Sequence, residues 1–377
     1  MRILAVLLLL LTAQVAAAQS PPTAAARGHS VAIKEAGKLP TRDLTSLPLG
    51  KGLPVIVRVG IYFQNLTAFD DSEGAFTGTI DMRLRWEDPR LRYAGETTPR
   101  GFQEYRGPDA DQKMKEVWVP GVALTNLKGS PSYQASSLRV FPNGHVEVMQ
   151  RTTGQFTTAI DAGTFPFDNQ TLGVEVTVQR ETTVEASLVV LQEDIDFSRP
   201  AQDLSLDGWT PGLVNIGRYT QPGWYGEFHS GLVVGLTVAR NAGKVVGTVF
   251  IPLLAALFIP MLAIWMNSTE EGEFVTDTFE LANIVVGGLF AVIALNFTIN
   301  SVYRSVATGD NTVTRLFGLD YAALGLSLAV VVLLYRYNLP MRFFGRYVQE
   351  QVYCYLSWAV PLLAFGTALT FISVAAS

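Results

Sequence analysis

The sequence predicts an N-terminal all-β immunoglobulin-like sandwich followed by a C-terminal four-helix transmembrane bundle. Hydrophobic residues make up 49% of the 377 residues and charged residues only 16%, below the roughly 25% charge of average soluble domains. The apolar residues are concentrated after about residue 245, in four runs of membrane length. The part before these runs alternates with the period of two that is typical of half-buried strands.

The first 18 residues have the pattern of a signal peptide. Arg2 precedes an apolar run at residues 3–11, and Ala16-Ala17-Ala18 has the small-residue form of a signal-peptidase site. We therefore expect the chain to be exported from residue 19 onward. Residues 19–52 are rich in Ala, Pro, Ser, Gly and Thr without periodicity, which predicts a flexible lead-in.

Short strand patterns fill residues 53–240. Ile80, Met82, Leu84 and Trp86 alternate with polar residues, so one set faces inward and the other faces water. Asn143-Gly144 separates two such patterns, as in a β-hairpin. This succession of strands and turns predicts a β-sandwich at 53–240 rather than a parallel sheet. Trp86 and Trp118 are expected in its core.

The segment 241–377 contains four apolar spans, at about 245–266, 281–303, 316–335 and 352–376. Each can cross a ~30 Å hydrocarbon core as a helix, which takes about 20 residues. Three arginines, Arg336, Arg342 and Arg346, lie between the third and fourth spans, as the positive-inside rule expects of a cytoplasmic loop. The sequence predicts a multi-pass membrane protein with both termini outside.

Composition and motifs argue against several other classes of function. Subtracting 33 acidic from 28 basic residues gives a net charge of −5. The chain therefore has no excess of basic residues with which to bind the phosphates of a nucleic acid. One cysteine, Cys354, and three scattered histidines have no metal-site spacing. The chain has no Gly-x-Ser-x-Gly, His-Glu-x-x-His, phosphate-loop or glycine-fingerprint motif. We therefore expect no catalytic residues, no metal site and no cofactor.

One run in the sandwich, Phe165-Pro166-Phe167-Asp168-Asn169-Gln170, identifies a family when it is taken with the topology. Over residues 53–377 the chain resembles the pentameric ligand-gated ion channels, the Cys-loop receptor superfamily. Further landmarks agree in order: the run from Trp86 to Leu91, Trp118-Val119-Pro120 with Asn126, and Arg240 twelve residues before Pro252. Thr158 and Leu172 replace the two cysteines of the animal members, so the chain resembles the prokaryotic members that lack this disulfide.

The resemblance implies a pentamer formed with four further copies, which conducts inorganic ions through a lipid bilayer. It also implies a location in a bacterial cell (inner) membrane, with the sandwich periplasmic or extracellular. A non-conducting, membrane-anchored ligand sensor of the same architecture is the alternative function. The sensor would leave the second span free to be uniformly apolar, whereas this span has polar residues at both ends.

The second span is the predicted pore helix, because spacings of three and four place a stripe along one helical face. Five copies would form an acidic ring that concentrates cations and apolar rings that can shed water. No basic residue lies near the acidic mouth, which favours cation selectivity. An ordinary membrane helix packed through Gly287-Gly288 is the alternative. The stripe comprises Glu280, Asn283, Gly287, Phe290, Ala294, Phe297 and Ser301.

Two different carboxylates are candidates for the ring at the mouth of the pore. The sequence does not decide between them, because the segment 267–279 is longer than the connection usual in the family. Glu273 could form the mouth ring instead of Glu280. We prefer Glu280, since a helix that starts at Glu273 would hold Asp277 and Glu280 inside the membrane. Each such charge costs about 2.5 to 3.5 kcal/mol unless it faces water.

The resemblance also implies an agonist site between subunits, where aromatic side chains cage the ligand. Tyr219, Trp224 and Tyr225 suit a mobile capping hairpin, and other expected cage positions are held by Asp81, Thr125, Gln179 and Arg180. Because an arginine would repel an ammonium ligand, the predicted agonist is a small acid, a zwitterion or protons, of open identity.

The base of the sandwich is predicted to couple ligand binding to the pore. An apolar turn at this place must be shielded from water, and the membrane part of the protein can contact it. The partly buried arginine at the end of the last strand needs an acidic partner. The resemblance implies that the acidic partners of Arg240 are Asp70 or Asp71, in a connection between strands, and Asp168, in the apolar turn. It also implies that the contact on the helix side, which moves, is Arg304 or the loop after it, between the second and third spans. The residues are Asp70, Asp71, Phe165, Pro166, Phe167, Asp168, Arg240 and Arg304.

Overall fold

The computed structural model describes residues 43–95, 100–270, 273–303 and 309–376, except for the side chains of Lys244 and Glu273. The predicted signal peptide, most of the predicted lead-in, and Arg304 lie outside the described residues. From Leu44 onward the chain forms one compact unit.

Two β-sheets face each other in the first part of this unit. One has six strands in the order β3-β5-β6-β2-β1-β8, and the other has four in the order β4-β7-β10-β9. Strands β1 and β8 pair in parallel. The strands are β1 Val55–Asp70, β2 Ala75–Glu87, β3 Gln103–Arg106, β4 Val122–Leu124, β5 Tyr133–Val140, β6 His145–Thr157, β7 Asn169–Val178, β8 Ala186–Val189, β9 Trp209–Pro222 and β10 Phe228–Arg240, with short helices α1 Pro108–Glu116 and α2 Gln192–Phe197.

The core lies between the two sheets, because alternate residues of each strand point inward. Along β2, Ile80, Met82, Leu84 and Trp86 are all at most 3% exposed. The rings of Trp86 and Trp118 meet edge to face, with 5.8 Å between their centroids, a favourable aromatic geometry. The predicted sandwich and the core positions of both tryptophans are thus present in the fold.

The end of the predicted flexible lead-in packs on the sandwich instead. The Trp118 amide donates to the Leu44 carbonyl over 2.7 Å, and the Arg90 guanidinium donates to the Ser46 carbonyl over 2.8 Å. Arg90 is held in turn by Asp88, which is 0% exposed. These partners are distant in sequence, so local composition could not reveal them.

Helix α2 is tied to the six-stranded sheet through a buried carboxylate. Asp194 is 1% exposed and accepts hydrogen bonds from Arg58 Nε at 2.8 Å and from an Arg83 terminal nitrogen at 2.9 Å. Burial opposes ionisation of Asp194, but hydrogen bonds from Arg58, the Leu191 amide and Arg83 outweigh it and lower the pKa of the carboxyl group.

We expect Asp194→Asn to destabilise the protein by about 3 kcal/mol, because it leaves two partly buried guanidinium groups without their shared anion. A pKa lowered by folding contributes stability above the ordinary value of about 4, and this contribution is lost as pH falls. Acidification should therefore destabilise the wild type more than the variant. Thermal unfolding of the full chain in detergent at several pH values measures this. Asp196→Asn, at an exposed position of the same helix, is the control and should leave stability nearly unchanged.

Four helices in the second part are long and apolar enough to cross a membrane: α3 Val246–Trp265, α4 Thr278–Val302, α5 Thr312–Arg336 and α7 Arg346–Ala376. A single turn, Ala242–Val245, leads into α3, and the short helix α6, Leu339–Phe344, lies between α5 and α7. A two-stranded hairpin, β11 Thr269–Glu270 and β12 Glu273–Phe274, joins α3 to α4.

Side chains of α5 and α7 hold the end of α3 and the hairpin in place. The Tyr335 hydroxyl donates to the Ile264 carbonyl over 3.0 Å. The Phe274 ring lies 4.4 Å from the Tyr335 ring and 5.6 Å from the Tyr353 ring, between centroids. The hairpin is thereby fixed at one end of α4 rather than left as a loose loop.

Candidate functional site

A cleft of about 670 Å³ lies beside the hairpin that joins β9 to β10. The tip is closed by hydrogen bonds from the Gly223 amide to the Glu227 carbonyl and from the Tyr225 amide to the Glu227 carboxylate, at 2.8 and 2.9 Å. Gly226 turns the chain with φ of 85°, a conformation that favours glycine. Trp224 and Tyr225 project from the tip, 94% and 92% exposed.

The cleft presents charges of both signs. The Arg180 side chain is 66% exposed, with its guanidinium directed to the Val119 carbonyl and 3.8 Å from Glu181. Backbone amide hydrogen bonds, from Glu227 itself and from Tyr225 and Trp224, lower the pKa of the Glu227 carboxyl group. The cleft can therefore offer a cation and a carboxylate to a small ligand. Its lining includes Gln179, Arg180, Thr182, Trp224, Glu227 and His229.

Three of the predicted ligand residues, Gln179, Arg180 and Trp224, thus line one cleft. Glu227 and His229 were not predicted from sequence. Glu227 lies 3.8 Å from the His229 ring, whose Nδ1 is 2.9 Å from the Glu181 carbonyl. Their position within five residues of Trp224 was the signal that could have found them.

Two other predicted residues, Thr125 and Tyr219, belong to a hydrogen-bonded cluster on the same sheet. The Tyr219 hydroxyl lies 2.6 Å from Thr177 Oγ1 and 3.5 Å from Thr125 Oγ1, and Thr125 donates to Glu175. Tyr219 lies over Gly231, where a Cβ would be 2.5 Å from the ring. Neither Thr125 nor Tyr219 is among the residues that line the cleft.

Asp81 lies in the other sheet, on β2. Its two carboxylate oxygens accept from Nε and a terminal nitrogen of Arg151 at 2.7 and 2.8 Å. Neither Asp81 nor Tyr225 is among the residues that line the cleft within one chain. The place of Asp81 on the complementary side of a site between copies stays a prediction.

The base of the sandwich is held together by Arg240. Its side chain is 7% exposed and binds Asp168 through Nε at 2.7 Å and Asp71 through a terminal nitrogen at 2.6 Å. Its guanidinium carbon also lies 4.2 Å from the Trp209 ring and 4.8 Å from the Phe165 ring. Burial opposes the charge, but the hydrogen bonds to Asp168 and Asp71 outweigh it and raise the pKa of Arg240.

Asp70, the other predicted partner of Arg240 in the β1–β2 connection, organises the turn after β1. Its Oδ1 accepts from the Ser72 amide, the Ser72 hydroxyl and the Glu73 amide at 2.6–3.1 Å. The carboxylates that contact Arg240 thus come from the β1–β2 connection, through Asp71, and from the turn before β7, through Asp168.

The apolar turn is inserted among the membrane helices. Phe165 is 0% exposed and belongs to the apolar cluster of the helical part, with its ring 5.5 Å from the Tyr303 ring. The Phe167 ring stacks on Phe250 at 6.4 Å, and Pro166 between them is buried. The turn therefore contacts both the start of α3 and the end of α4.

Every residue of the predicted stripe lies on the exposed face of α4. Phe290 and Phe297 are 67% and 77% exposed. The opposite face packs on the other helices through Leu281, Val285, Gly288, Val292 and Ile299. Gly288 permits this packing, since a Cβ there would lie 2.5 Å from Ile259, whereas Gly287 has open space.

The start of α4 is fixed by Asp277, whose side chain accepts from the Phe279 amide at 2.9 Å. Such an N-cap satisfies a free amide of the first turn. Glu280 accordingly lies in the first turn of α4, while Glu273 belongs to the preceding hairpin strand.

Comparison with known proteins gives matches over the sandwich and beyond. Residues 43–207 match the family model for the neurotransmitter-gated ion-channel ligand-binding domain. The chain is 24% identical to a proton-gated ion channel of Gloeobacter violaceus over 251 residues, 66% of this chain. It is also 24% identical to the gamma-aminobutyric acid receptor subunit rho-2 and to the glycine receptor subunit beta, both of Rattus norvegicus, over 60% and 58% of this chain.

The matched region does not span the whole of these relatives. It covers 64% of the Gloeobacter channel, 48% of the rho-2 subunit and 44% of the glycine receptor subunit. The family model ends at residue 207, before β9, so the hairpin that carries Trp224 lies outside that match.

Proposed function

Because the chain belongs to the superfamily of pentameric ligand-gated ion channels, we propose that it forms a homopentameric, cation-selective channel in a bacterial plasma membrane. In this proposal α4 lines the pore, and a small acid, a zwitterion or protons act on the sandwich, which lies outside the cell membrane. The observation that carries the proposal is the exposed polar and aromatic face of α4.

The burial of α4 supports a pore-lining position. Only 22% of its apolar core is buried within the chain, against 50% for α3, 44% for α5 and 28% for α7, so α4 and α7 both have faces left uncovered by the chain. The exposed side carries a carboxylate, two asparagine or serine side chains and two phenyl rings in one stripe. A face of this kind is unsuited to lipid, because polar groups in hydrocarbon cost free energy unless they face water or a partner. Five copies around an axis would give that face a water-filled pore.

Acidic side chains near the start of α4 support cation selectivity. Glu280 lies in the first turn, Asp277 caps the helix, and Glu270 is exposed on the hairpin before it. No lysine or arginine occurs between residues 267 and 302. Five-fold repetition of these carboxylates would lower the local electrostatic potential and concentrate cations at the mouth.

A continuous chain of contacts supports coupling between the cleft and the pore. Strand β10 begins beside the cleft with Phe228 and ends at Arg240, which contacts Phe165, and Phe165 contacts Tyr303 at the end of α4. A ligand that binds one arrangement of the β9–β10 hairpin more tightly would favour the matching arrangement of these contacts. The ends of α4 would then shift with the base of the sandwich.

The chemistry of the cleft supports a small acid or zwitterion as the ligand. A carboxylate would pair with Arg180, and an amino group would approach Glu227 and the Trp224 ring. Protons are the other agonist in this proposal, since the similar Gloeobacter protein is a proton-gated channel. Glu227 and the His229 ring lie 3.8 Å apart in the cleft.

Replacement of Glu280 by Gln tests the selectivity part of the proposal. We expect the substitution to lower the cation preference or the conductance, because it removes one ring of five charges from the mouth. Reversal potentials of the purified protein in planar bilayers, under a salt gradient, measure the preference. Glu350→Gln is the matched control, since it removes a carboxylate from α7 rather than from α4, and it should leave permeation unchanged.

Other results would contradict this assignment. Anion preference in the wild type would overturn cation selectivity. If Glu273→Gln alters permeation and Glu280→Gln does not, the hairpin supplies the mouth carboxylate. If no current appears over a range of pH and of small acids and amino acids, the non-conducting ligand sensor becomes the better description.

A further inference from the structure

The hairpin that joins α3 to α4 lies at the end of the helical part that is opposite the sandwich, because α3, a helix of membrane length, separates it from the sandwich. Its two strands, Thr269–Glu270 and Glu273–Phe274, are paired. Helix α4 begins shortly after them, with Asp277 as its N-cap. The connection therefore has a defined shape, and the elements that hold it also hold the start of the proposed pore helix.

A buried asparagine ties the base of the hairpin to the start of α4. Asn267 is 3% exposed, and its Oδ1 accepts from the Ser268 amide at 2.9 Å and from the Thr276 amide at 3.2 Å. The Val275 amide donates to the Ser268 carbonyl over 3.1 Å. Thr276 directly precedes Asp277, the N-cap of α4. The side chain of Asn267 therefore fixes where α4 begins relative to the end of α3.

The hairpin is also attached to α5 and α7. The Tyr353 hydroxyl, from α7, donates to the Asn267 carbonyl over 2.5 Å. The Phe274 ring contacts the Tyr335 ring of α5 and the Tyr353 ring, and such ring pairs attract each other beyond the area that they bury. We call Phe274, Tyr335 and Tyr353 the aromatic clasp. Because Phe274 directly follows Glu273, the clasp holds the strand that carries this acidic residue.

The hairpin and the start of α4 carry negative charge that no neighbouring cation balances. Glu270 and Glu280 are exposed, and neither forms an ion pair within the residues that the structure describes. Carboxylates at one end of a pore raise the cation concentration there. Salt screens this effect over about 10 Å at an ionic strength of about 0.1 M, and over about 3 Å at about 1 M. The strength of the effect thus depends on how close to the pore axis the hairpin is held.

We propose that the aromatic clasp sets the position of this acidic hairpin at the mouth of the pore. Tyr353 and Phe274 are then positioning residues: they do not belong to the proposed pore face and they carry no charge, but they determine how readily cations enter from the hairpin side. This inference rests on the proposed cation channel. A clasp that only stabilised the fold would change the stability of the protein or the number of channels, whereas a positioning clasp changes the current through each open channel.

Single-channel recording of Tyr353→Phe in planar bilayers, with equal salt on both sides, tests this role. The substitution keeps the ring in the clasp and removes the hydroxyl that holds the Asn267 carbonyl. We expect the current of cations that enter from the hairpin side to fall at least about twofold at about 0.1 M salt, and to stay near the wild-type value at about 1 M, where charges are screened. The current in the opposite direction should change less. Tyr355→Phe, which removes a hydroxyl from a 72% exposed position of the same helix, is the matched control and should conduct as the wild type does.

Hydrogen–deuterium exchange of the full chain in detergent separates the clasp from the channel. The Val275 and Thr276 amides, which are bonded at the base of the hairpin, should exchange about fivefold faster in Tyr353→Phe, as expected for the loss of one hydrogen bond.

Unchanged exchange overturns the proposal, because Tyr353 then does not hold the hairpin. Faster exchange with wild-type currents, or with currents reduced equally in both directions and at both salt concentrations, overturns it too, since the clasp is then only structural. If Tyr353→Phe does not fold, Phe274→Leu, which loses the ring but stays apolar, is measured in the same way. Anion preference or absence of current in the wild type overturns the proposed function itself, and the wild type alone reveals that failure.

Discussion

Replacing Arg240 with Gln should abolish channel opening or pentamer assembly, the largest effect that we expect from a single substitution. The change leaves Asp168, 1% exposed, and Asp71 without the cation that both bind. Removing one partner of a buried ion pair costs about 3 to 5 kcal/mol, a large part of the stability of a typical domain. It also removes the cation between the Trp209 and Phe165 rings. Size-exclusion chromatography and bilayer currents measure assembly and opening.

Arg240→Lys separates coupling from simple anchoring. Lysine keeps the charge at the membrane surface but loses the planar fork that binds two carboxylates at once. We expect the lysine variant to assemble and to open poorly, while the sandwich retains its ligand response in thermal unfolding. Normal assembly and normal opening in Arg240→Lys would reduce Arg240 to an interfacial anchor.

A double substitution measures the energetic link directly. Arg240→Gln combined with Asp168→Asn should destabilise the protein by less than the sum of the two single substitutions, because the second change removes a charge that the first left unpaired. Additive effects would mean that the ion pair seen at 2.7 Å carries no coupling energy. Arg218→Gln, on the same sheet but exposed, should be nearly neutral.

Replacing Phe290 with Ser should give a channel that leaks without agonist, the second large effect. The ring is 67% exposed on α4, and five such rings around an axis would form an apolar constriction that sheds water. A hydroxyl at each position lets water remain. We expect resting current to rise at least about tenfold, as when a barrier falls by about 1.4 kcal/mol. Bilayer recording without added ligand measures it.

Phe297→Ser tests the second proposed constriction on the same face of α4. Phe297 lies seven residues, or about two helical turns, nearer to the sandwich than Phe290. Leu289→Ser is the control for both, because Leu289 is adjacent to Phe290 but lies about 100° around the helix. If both phenylalanine variants have wild-type resting currents, this face of α4 does not line the pore. If Leu289→Ser leaks equally, the effect is loosened packing and not a gate.

Much of the fold could be predicted from sequence, because the signals are local and periodic. Alternation along β2 predicted which side chains enter the core, down to Trp86. Spacings of three and four placed Glu280 to Ser301 on one face of α4, and the structure leaves that face exposed. These patterns depend only on the strand and helix periods, which any chain obeys.

The cleft could be predicted only in part. Trp224, Gln179 and Arg180 were found through the resemblance, but the inclusion of Glu227 and His229 depends on the end of β7 and the β9–β10 hairpin lining the same cleft. Thr125 and Tyr219 belong to a hydrogen-bonded cluster with Thr177, which lines the cleft, but they do not line it themselves. Which polar side chains pair with each other is decided by distances across the sheet, and sequence spacing does not encode them.

The sequence by itself determined the class of the protein: an all-β domain, four apolar spans, and a polar and aromatic stripe on the second. Only the tertiary structure decided how charges are satisfied. It brought Asp168 and Asp71, 72 and 169 residues away in the chain, onto Arg240. It also buried Asp320, the one acidic residue of α5, in the helical bundle, where it is 1% exposed and its two carboxylate oxygens have no hydrogen-bond partner among the described residues. Periodic patterns record which face of an element is apolar, whereas ion pairs form between elements that only the fold brings together.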